Sequence, residues 1–512
     1  MSSDKQISPE ELRKFLQDKF GSGVKVDLFS QAQAQPEETD EEAARAEARH
    51  KALEFNYKPS DIKKYLDRFV IRQDDAKKVL ATAICDHYHH IQNLQGPENW
   101  LEYKKQNIIL IGPTGVGKTY LVQNIARLIG VPFAKADATK FSETGYVGGD
   151  VEDLVRELVT QANGDVSLAE CGIIYLDEID KIAASMNAMG RDVSGQGVQR
   201  NLLKLMEETE VPLRSATDIA SQMQAFIEFQ TKGRIEKKTI NTGHILFIVS
   251  GAFQGLTDII KKRIGSKQIG FTGEKLSVDE EHSLYERVRA VDFIEYGFEA
   301  EFAGRLPVVV HCQPLSVDDL FDVAKHSEGS ILKQYREDFL AYGIEVFFTD
   351  DGMRRIAEAA AEERTGARGL MSVCEKIFRD FKYYLPDSQV KEFIVNRELV
   401  TDPAARLKEL LENPRLDRPQ VLVWKAGRVE NDIREEYGIG VSFTPEATEL
   451  LSTQAEAAGT DFVDHCRSFV KSYEHALKLL SKRTPGAQFV VDEEAVKDPG
   501  GTFERWIRES YQ

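Results

Sequence analysis

The stretch GPTGVGKT, Gly112 to Thr119, lies between the apolar run NIILI and the segment YLVQNIARLI, whose apolar residues fall at helical spacing. The pattern GxxxxGK[ST] needs a buried strand to deliver it and a helix whose first N–H groups are left free to meet a ligand. Glycines let the main chain close around phosphate oxygens, and Lys118 reaches the outer ones. Gly112, Pro113, Thr114, Gly115, Val116, Gly117, Lys118, Thr119 and the following Tyr120 are therefore candidate ATP-binding residues, with Thr119 placed to ligate magnesium.

A second apolar run, CGIIYLDEID, delivers Asp177 and Glu178 at its C-terminal end, where open α/β sheets place their ligands. Asp177 is the expected magnesium partner, and Glu178 the base that activates an attacking water. Ser250, ending HILFIVS, is a further polar candidate for placing that water. Five segments have strand length: 107–112, 132–137, 172–177, 244–249 and 306–311. Helical patterns separate them, so the expected fold class is α/β, a parallel sheet with helices on both faces. Ser60, behind Pro59, is the expected cap of an early helix.

Beyond CQPLS the pattern turns mostly helical, with a short strand at IEVFF and further strands expected near EFIVN and QVLVW. The chain then repeats itself. YGIEVFFTDDGMRRI, from Tyr342, returns as YGIGVSFTPEATELL, from Tyr437, and FIVNRELVTDP is answered by FVVDEEAVKDP. Similarity that resumes almost in register after so long a gap points to a partial internal duplication.

The expected division is an acidic, flexible region over 1–55, a large domain over 56–313, a small domain over 314–425 and a lid-like repeat over 426–512. Five scattered cysteines without a CxxC pair indicate buried thiols rather than a disulfide or zinc framework. The histidines of DHYHH are expected on a helix surface. A net charge of −18 argues against a general nucleic-acid binder. No signal-like core or long apolar run occurs, so a cytoplasmic protein without a membrane span is expected.

The ordered motifs TGYVGGDVEDLVRELV, GIIYLDEIDKI, RDVSGQGVQRNLLKLME, ILFIVSGAFQGL, EFAGRLPVVV and TGARGL resemble those of the ClpX branch of the AAA+ unfoldases, with HslU a close relative. The resemblance covers roughly residues 57–425 and implies a homo-hexamer that uses ATP and magnesium to thread protein substrates through a central pore. By motif, Tyr146, Val147 and Gly148 match the pore loop that grips the substrate. Arg305 matches the arginine finger that reaches a neighbour's nucleotide, and Arg368 the sensor arginine of the lid. Val70 and Ile71 match the adenine pocket, and Ile269, Gly270 and Phe271 match the loop that docks on a ClpP-like peptidase.

Three departures stand beside the resemblance. The family's N-terminal zinc-binding domain has no counterpart in residues 1–55. Arg72 stands where the family has glycine, beside the adenine pocket, where it is expected to alter nucleotide affinity. The family's basic second pore loop is replaced by a different stretch between LLKLMEE and HILFI. The expected function is an ATP-dependent unfoldase serving a Clp-type protease. The alternative is a stand-alone remodeller of protein complexes, and a nucleic-acid motor is disfavoured.

Overall fold

Apolar β-branched residues dominate the runs that become the central strands, and such residues suit a pleated surface covered on both faces. The structure, a computed structural model, describes residues 55–93, 105–141, 149–183, 193–213, 239–265, 284–484 and 486–510. Through residue 311 the described strands are β1 (Ile108–Ile111), β2 (Phe133–Asp137), β3 (Ile173–Asp177), β4 (Glu210–Pro212), β5 (Thr239–Asn241), β6 (Leu246–Gly251) and β7 (Val308–His311). Five of them form one parallel sheet in the order β2-β3-β6-β1-β7. Every residue of β1 and β6 is buried. Each such aliphatic side chain contributes roughly 1.5–3 kcal/mol relative to exposure, which makes this sheet the rigid base of the molecule.

The helices around it include α1 (Pro59–Phe69), α2 (Asp74–Asn93), α3 (Lys118–Ile129), α4 (Asp153–Gln161), α5 (Val193–Met206) and α6 (Leu256–Gly265). Ser60 is not the cap of α1. Pro59 takes the first helical position, where its missing N–H costs nothing, and Lys58 precedes it, its N–H donating to the Asp61 carboxylate at 3.1 Å. The stretch between LLKLMEE and HILFI has its two ends paired as the antiparallel strands β4 and β5.

His87 departs from the expected helix surface. It is buried, with Nε2 at 3.1 Å from the His244 carbonyl oxygen, and burial pushes its pKa down to about 3, so the ring is neutral. No described helix is long and apolar enough to cross a membrane.

The helical region that follows contains α7 (Val317–His326), α8 (Ile331–Leu340), β8 (Glu345–Phe348), α9 (Asp350–Glu362), α10 (Arg368–Tyr384), β9 (Glu392–Val395), α11 (Arg397–Thr401) and α12 (Pro403–Glu412). Strands β8 and β9 pair in parallel, and a single aromatic-rich core unites these elements.

QVLVW is helical, not a strand. It opens α13 (Arg418–Tyr437), with Pro419 in the first turn and Val421, Leu422, Ala426, Val429 and Ile433 buried at helical spacing. Helix α13 runs through residues 425 and 426, the expected division point. Its N-terminal half covers the outer face of the β8–β9 pair: Val421 packs with Phe347 and Ile394, and Trp424 lies 4.8 Å from Phe347, centroid to centroid. Lys425 bridges Glu345 and Glu392 at 2.5 and 3.2 Å.

The C-terminal half of α13 begins a second core, completed by β10 (Gly440–Phe443), α14 (Pro445–Ala458), α15 (Phe462–Lys471), α16 (Glu474–Arg483), β11 (Gln488–Val491), α17 (Glu493–Lys497) and α18 (Pro499–Glu509). Strand pairing and several helix caps recur between this unit and the preceding one, although three helices connect β10 to β11 and two connect β8 to β9. Val346 pairs with Phe393, and Val441 with Phe489. Thr349 and Thr444 cap the following helices, and their N–H groups donate to Val395 and Val491 at 3.1 and 3.0 Å. Asn396 and Asp492 cap α11 and α17, and Asp402 and Asp498, each before a proline, cap α12 and α18.

Candidate functional site

The C-terminal ends of β1, β6 and β3 lie side by side, with β6 in the middle, so the loop after β1, the end of β6 and Asp177 converge on one edge of the sheet. A cavity of about 450 Å³ opens there. Its walls include Val70 and Ile71, the loop from Thr114 to Tyr120, Asp177, Glu178 and Arg368.

The loop is built for close approach. Gly112 has φ +158, and a Cβ there would meet the Cys312 carbonyl oxygen at 2.7 Å. Gly117 has φ +96 and precedes α3, whose first turn carries no side-chain cap, so its N–H groups face the cavity edge unspent. Lys118 is buried, its ammonium donating to the Gly112 and Pro113 carbonyls at 2.6 and 2.8 Å, and burial lowers its pKa. An uncapped helix start beside a buried lysine suits an anionic phosphate chain.

Asp177 is the hub of a short polar network. Its Oδ1 accepts from Ser250 Oγ at 2.6 Å and its Oδ2 from Thr119 Oγ1 at 3.3 Å. Tyr175, two residues earlier and on the same side of β3, has its hydroxyl 2.6 Å from Ser250 Oγ and 3.2 Å from Thr119 Oγ1. Burial pushes the Tyr175 phenol up, so it stays protonated and able to donate. A threonine hydroxyl facing an aspartate at the end of a phosphate loop is an oxygen pair suited to magnesium.

Glu178 has φ +56, a left-handed conformation that costs a non-glycine residue of order 1 kcal/mol or more. That conformation turns the chain from β3 into the next helical turn, and Glu178 lies in the cavity wall beside Asp177.

The far wall comes from the helical region. Arg368 opens α10, and the turn before it meets the phosphate loop directly: the Ala367 N–H donates to the Gly115 carbonyl at 2.8 Å. Gly115, at φ +77, and Gly366, at φ +61, face each other so closely that a Cβ on Gly366 would stand 2.7 Å from the Gly115 oxygen.

Arg305 lies elsewhere. It ends the short helix Ala300–Gly304, forms an ion pair with Glu207 and is not part of this cavity. Nor does Arg72 point into it. With φ +59, Arg72 occupies a glycine-like conformation and directs its guanidinium to Asp319 at 2.5 Å and Gln313 at 2.8 Å, across the start of the helical region. Tyr146, Val147 and Gly148 lie outside the described residues, as do Ile269, Gly270 and Phe271.

By the 95-residue sequence offset Val463 corresponds to Arg368; it is the second residue of α15 and packs, partly buried, against the second core. Arg467 does not replace it, because its guanidinium bonds Asp432 at 2.8 Å.

Other residues of the site were not singled out from the sequence. Asp180 lines the cavity and is buried, with Oδ2 lacking a hydrogen-bond partner and standing 3.6 Å from Lys181 Nζ. Its signal was available, since it closes the same DEID run. Gln73 pairs both amide atoms with the Gln313 backbone at 2.7 and 2.8 Å, a contact across 240 residues that leaves no local trace.

Residues 103–309 match the family model for an AAA domain of the Cdc48 subfamily. Over 347 residues the chain is 42% identical to the ClpX ATP-binding subunit of the ATP-dependent Clp protease from Borrelia duttonii (strain Ly), covering 67% of this chain and 78% of that protein. The same figures hold for ClpX from Borrelia recurrentis (strain A1). ClpX from Treponema denticola is 39% identical over 357 residues, which cover 68% of this chain and 83% of the relative.

Proposed function

This chain belongs to the ClpX family of AAA+ ATPases, and from that premise we propose that it is the hexameric motor of an ATP-dependent protein unfoldase, with nucleotide turnover driving its helical lid against the sheet domain. The observation that carries the reading is the cavity wall itself, shared between the phosphate loop and the turn that bears Arg368. A site built from two bodies ties its occupancy to the angle between them.

The chemistry follows from the residues at the sheet edge. Backbone N–H groups of the loop and the Lys118 ammonium bind the phosphate chain of ATP, and Val70 and Ile71 flank the base. Thr119 and Asp177 would hold magnesium, which when bound supplies positive charge to the phosphate oxygens. Glu178 takes the proton from the attacking water, and Ser250 with Tyr175 keeps Asp177 oriented. Arg305, remote from its own cavity, serves the neighbouring subunit's site, where a guanidinium stabilises charge spread over the phosphoryl oxygens. Arg368 reports nucleotide from the lid side.

Residues 1–55 contain no cysteine and so do not supply the zinc ligands of the family's N-terminal domain. The match between the units around β8–β9 and β10–β11 supports an internal duplication in which the nucleotide-facing arginine was not kept. Tyr146, Val147 and Gly148 are proposed to grip substrate, and Ile269, Gly270 and Phe271 to dock on a ClpP-like peptidase, in the cytoplasm. The test is ATP-dependent unfolding of captured native substrates. Glu178→Gln protein with ATP should retain them for identification, and ATP hydrolysis without unfolding of any captured protein would refute the threading role.

A further inference from the structure

Arg305 is useful to a neighbour only if its backbone is held firmly, because a small angular error at Cα becomes a displacement of an ångström or more at the tip of so long a side chain. Beneath it lies Asn107, which is buried. The Asn107 side-chain amide donates to the Arg305 carbonyl at 3.1 Å, and its Oδ1 accepts from the Phe247 N–H at 3.3 Å. One side chain thus spends a donor and an acceptor joining the finger's main chain to β6. Asn107 also immediately precedes β1, whose far end leads into Gly112 and the phosphate loop. Strand β1 is fully buried and paired on both sides, with Ile108 opposite Ile248 and Val308. It spans the roughly 16 Å between Asn107 and Gly112 as a stiff rod.

We propose that Asn107 is a positioning residue for the arginine finger: it references Arg305 to the strand that carries this chain's own phosphate loop. The finger offered to one neighbour is thereby aligned with the nucleotide held for the other. This rests on the reading that Arg305 acts between subunits. Glu207 holds the guanidinium end of the same residue, so main chain and side chain are anchored separately.

Asn107→Asp is the discriminating variant. It keeps the shape and the acceptor for Phe247 but sets a carboxylate oxygen against the Arg305 carbonyl. The buried carboxylate should lower the melting temperature, while ATP-analogue affinity stays within about twofold of the parent, kcat falls about tenfold or more and KM changes less than about twofold.

A finger defect can be corrected by another chain, and a damaged phosphate loop cannot. Mixed with an excess of Glu178→Gln subunits, whose own sites are silent but whose fingers are intact, Asn107→Asp subunits should regain turnover by about fivefold or more. Arg305→Ala, mixed in the same way, is the reference. If Arg305→Ala is rescued and Asn107→Asp is not, or if Asn107→Asp alone keeps the parent kcat, the role of Asn107 is overturned. If Arg305→Ala is not rescued, the between-subunit reading itself falls, and the role of Asn107 falls with it.

Discussion

The Ala367 N–H donates to the Gly115 carbonyl at 2.8 Å, a main-chain bond between the turn before α10 and the loop after β1 across about 250 residues of sequence. Main-chain contacts of this kind demand small residues on both sides, and Gly115 and Gly366 supply them. Side-chain variation elsewhere in the lid leaves such a contact untouched, whereas a single methyl at the junction does not.

Gly366→Ala tests the junction. The substitution places a Cβ 2.7 Å from the Gly115 oxygen at φ +61, so ATP-analogue affinity should fall about tenfold or more, measured by titration. Gly343→Ala, at φ +72 with no atom within 4 Å, is the control. It should cost about 1 kcal/mol of stability and leave affinity unchanged.

Glu178→Gln should bind ATP within a few-fold of the parent affinity and lose about two or more orders of magnitude in kcat, because the amide cannot accept the proton of the attacking water. Single-turnover kinetics separate the two effects.

Arg72→Ala should loosen the segment 313–319 rather than weaken nucleotide binding. The guanidinium ties Gln313 and Asp319, so amide exchange at residues 313–319 should rise while ATP-analogue affinity changes less than about threefold. An affinity loss without added exchange would place Arg72 in the nucleotide pocket after all.

Acid should act on the same tie. Burial alone would raise the Asp319 pKa, but hydrogen bonds from Ser316 and Arg72 outweigh it and hold the carboxyl below its ordinary 3.8. A carboxylate with a lowered native pKa stabilises fully above its ordinary value, and that contribution disappears as pH falls through the lowered one. Amide protection at residues 313–319, taken relative to the intrinsic exchange rate at each pH, should therefore be flat in the parent from pH 7 to about pH 5 and fall below about pH 4, whereas Arg72→Ala should show a weaker acid step.

Truncation should separate the two C-terminal units. Ending the chain after Lys425 keeps Val421 and Trp424 over Phe347 and Ile394, and basal ATP turnover should stay within about twofold of the parent. Ending it after Asp417 uncovers that apolar face and should cost the lid roughly 2–4 kcal/mol, read as a lower melting transition. Loss of ATP binding in the longer truncation would contradict a second unit that takes no part in the nucleotide site.

The sheet and its phosphate loop were legible in the sequence because their signals are local. A doubly covered strand must be apolar throughout, and the loop motif stands directly between NIILI and its helix. The recurrence of YGIEVFFT as YGIGVSFT is a local signal of the same kind, and in both stretches the threonine caps the helix that follows. QVLVW misled because a run of four apolar residues is too short to distinguish a period of 2 from 3.6, and the first-turn Pro419 with packing against Phe347 and Ile394 decided for helix. Only the tertiary structure could show that Arg72 turns from the cavity toward Asp319, that Gly366 meets Gly115, and that Asn107 holds Arg305. Each of these contacts joins residues about 200 or more positions apart, and their geometry is set by where the packed strands and lid place the backbone, which no local pattern of residues encodes.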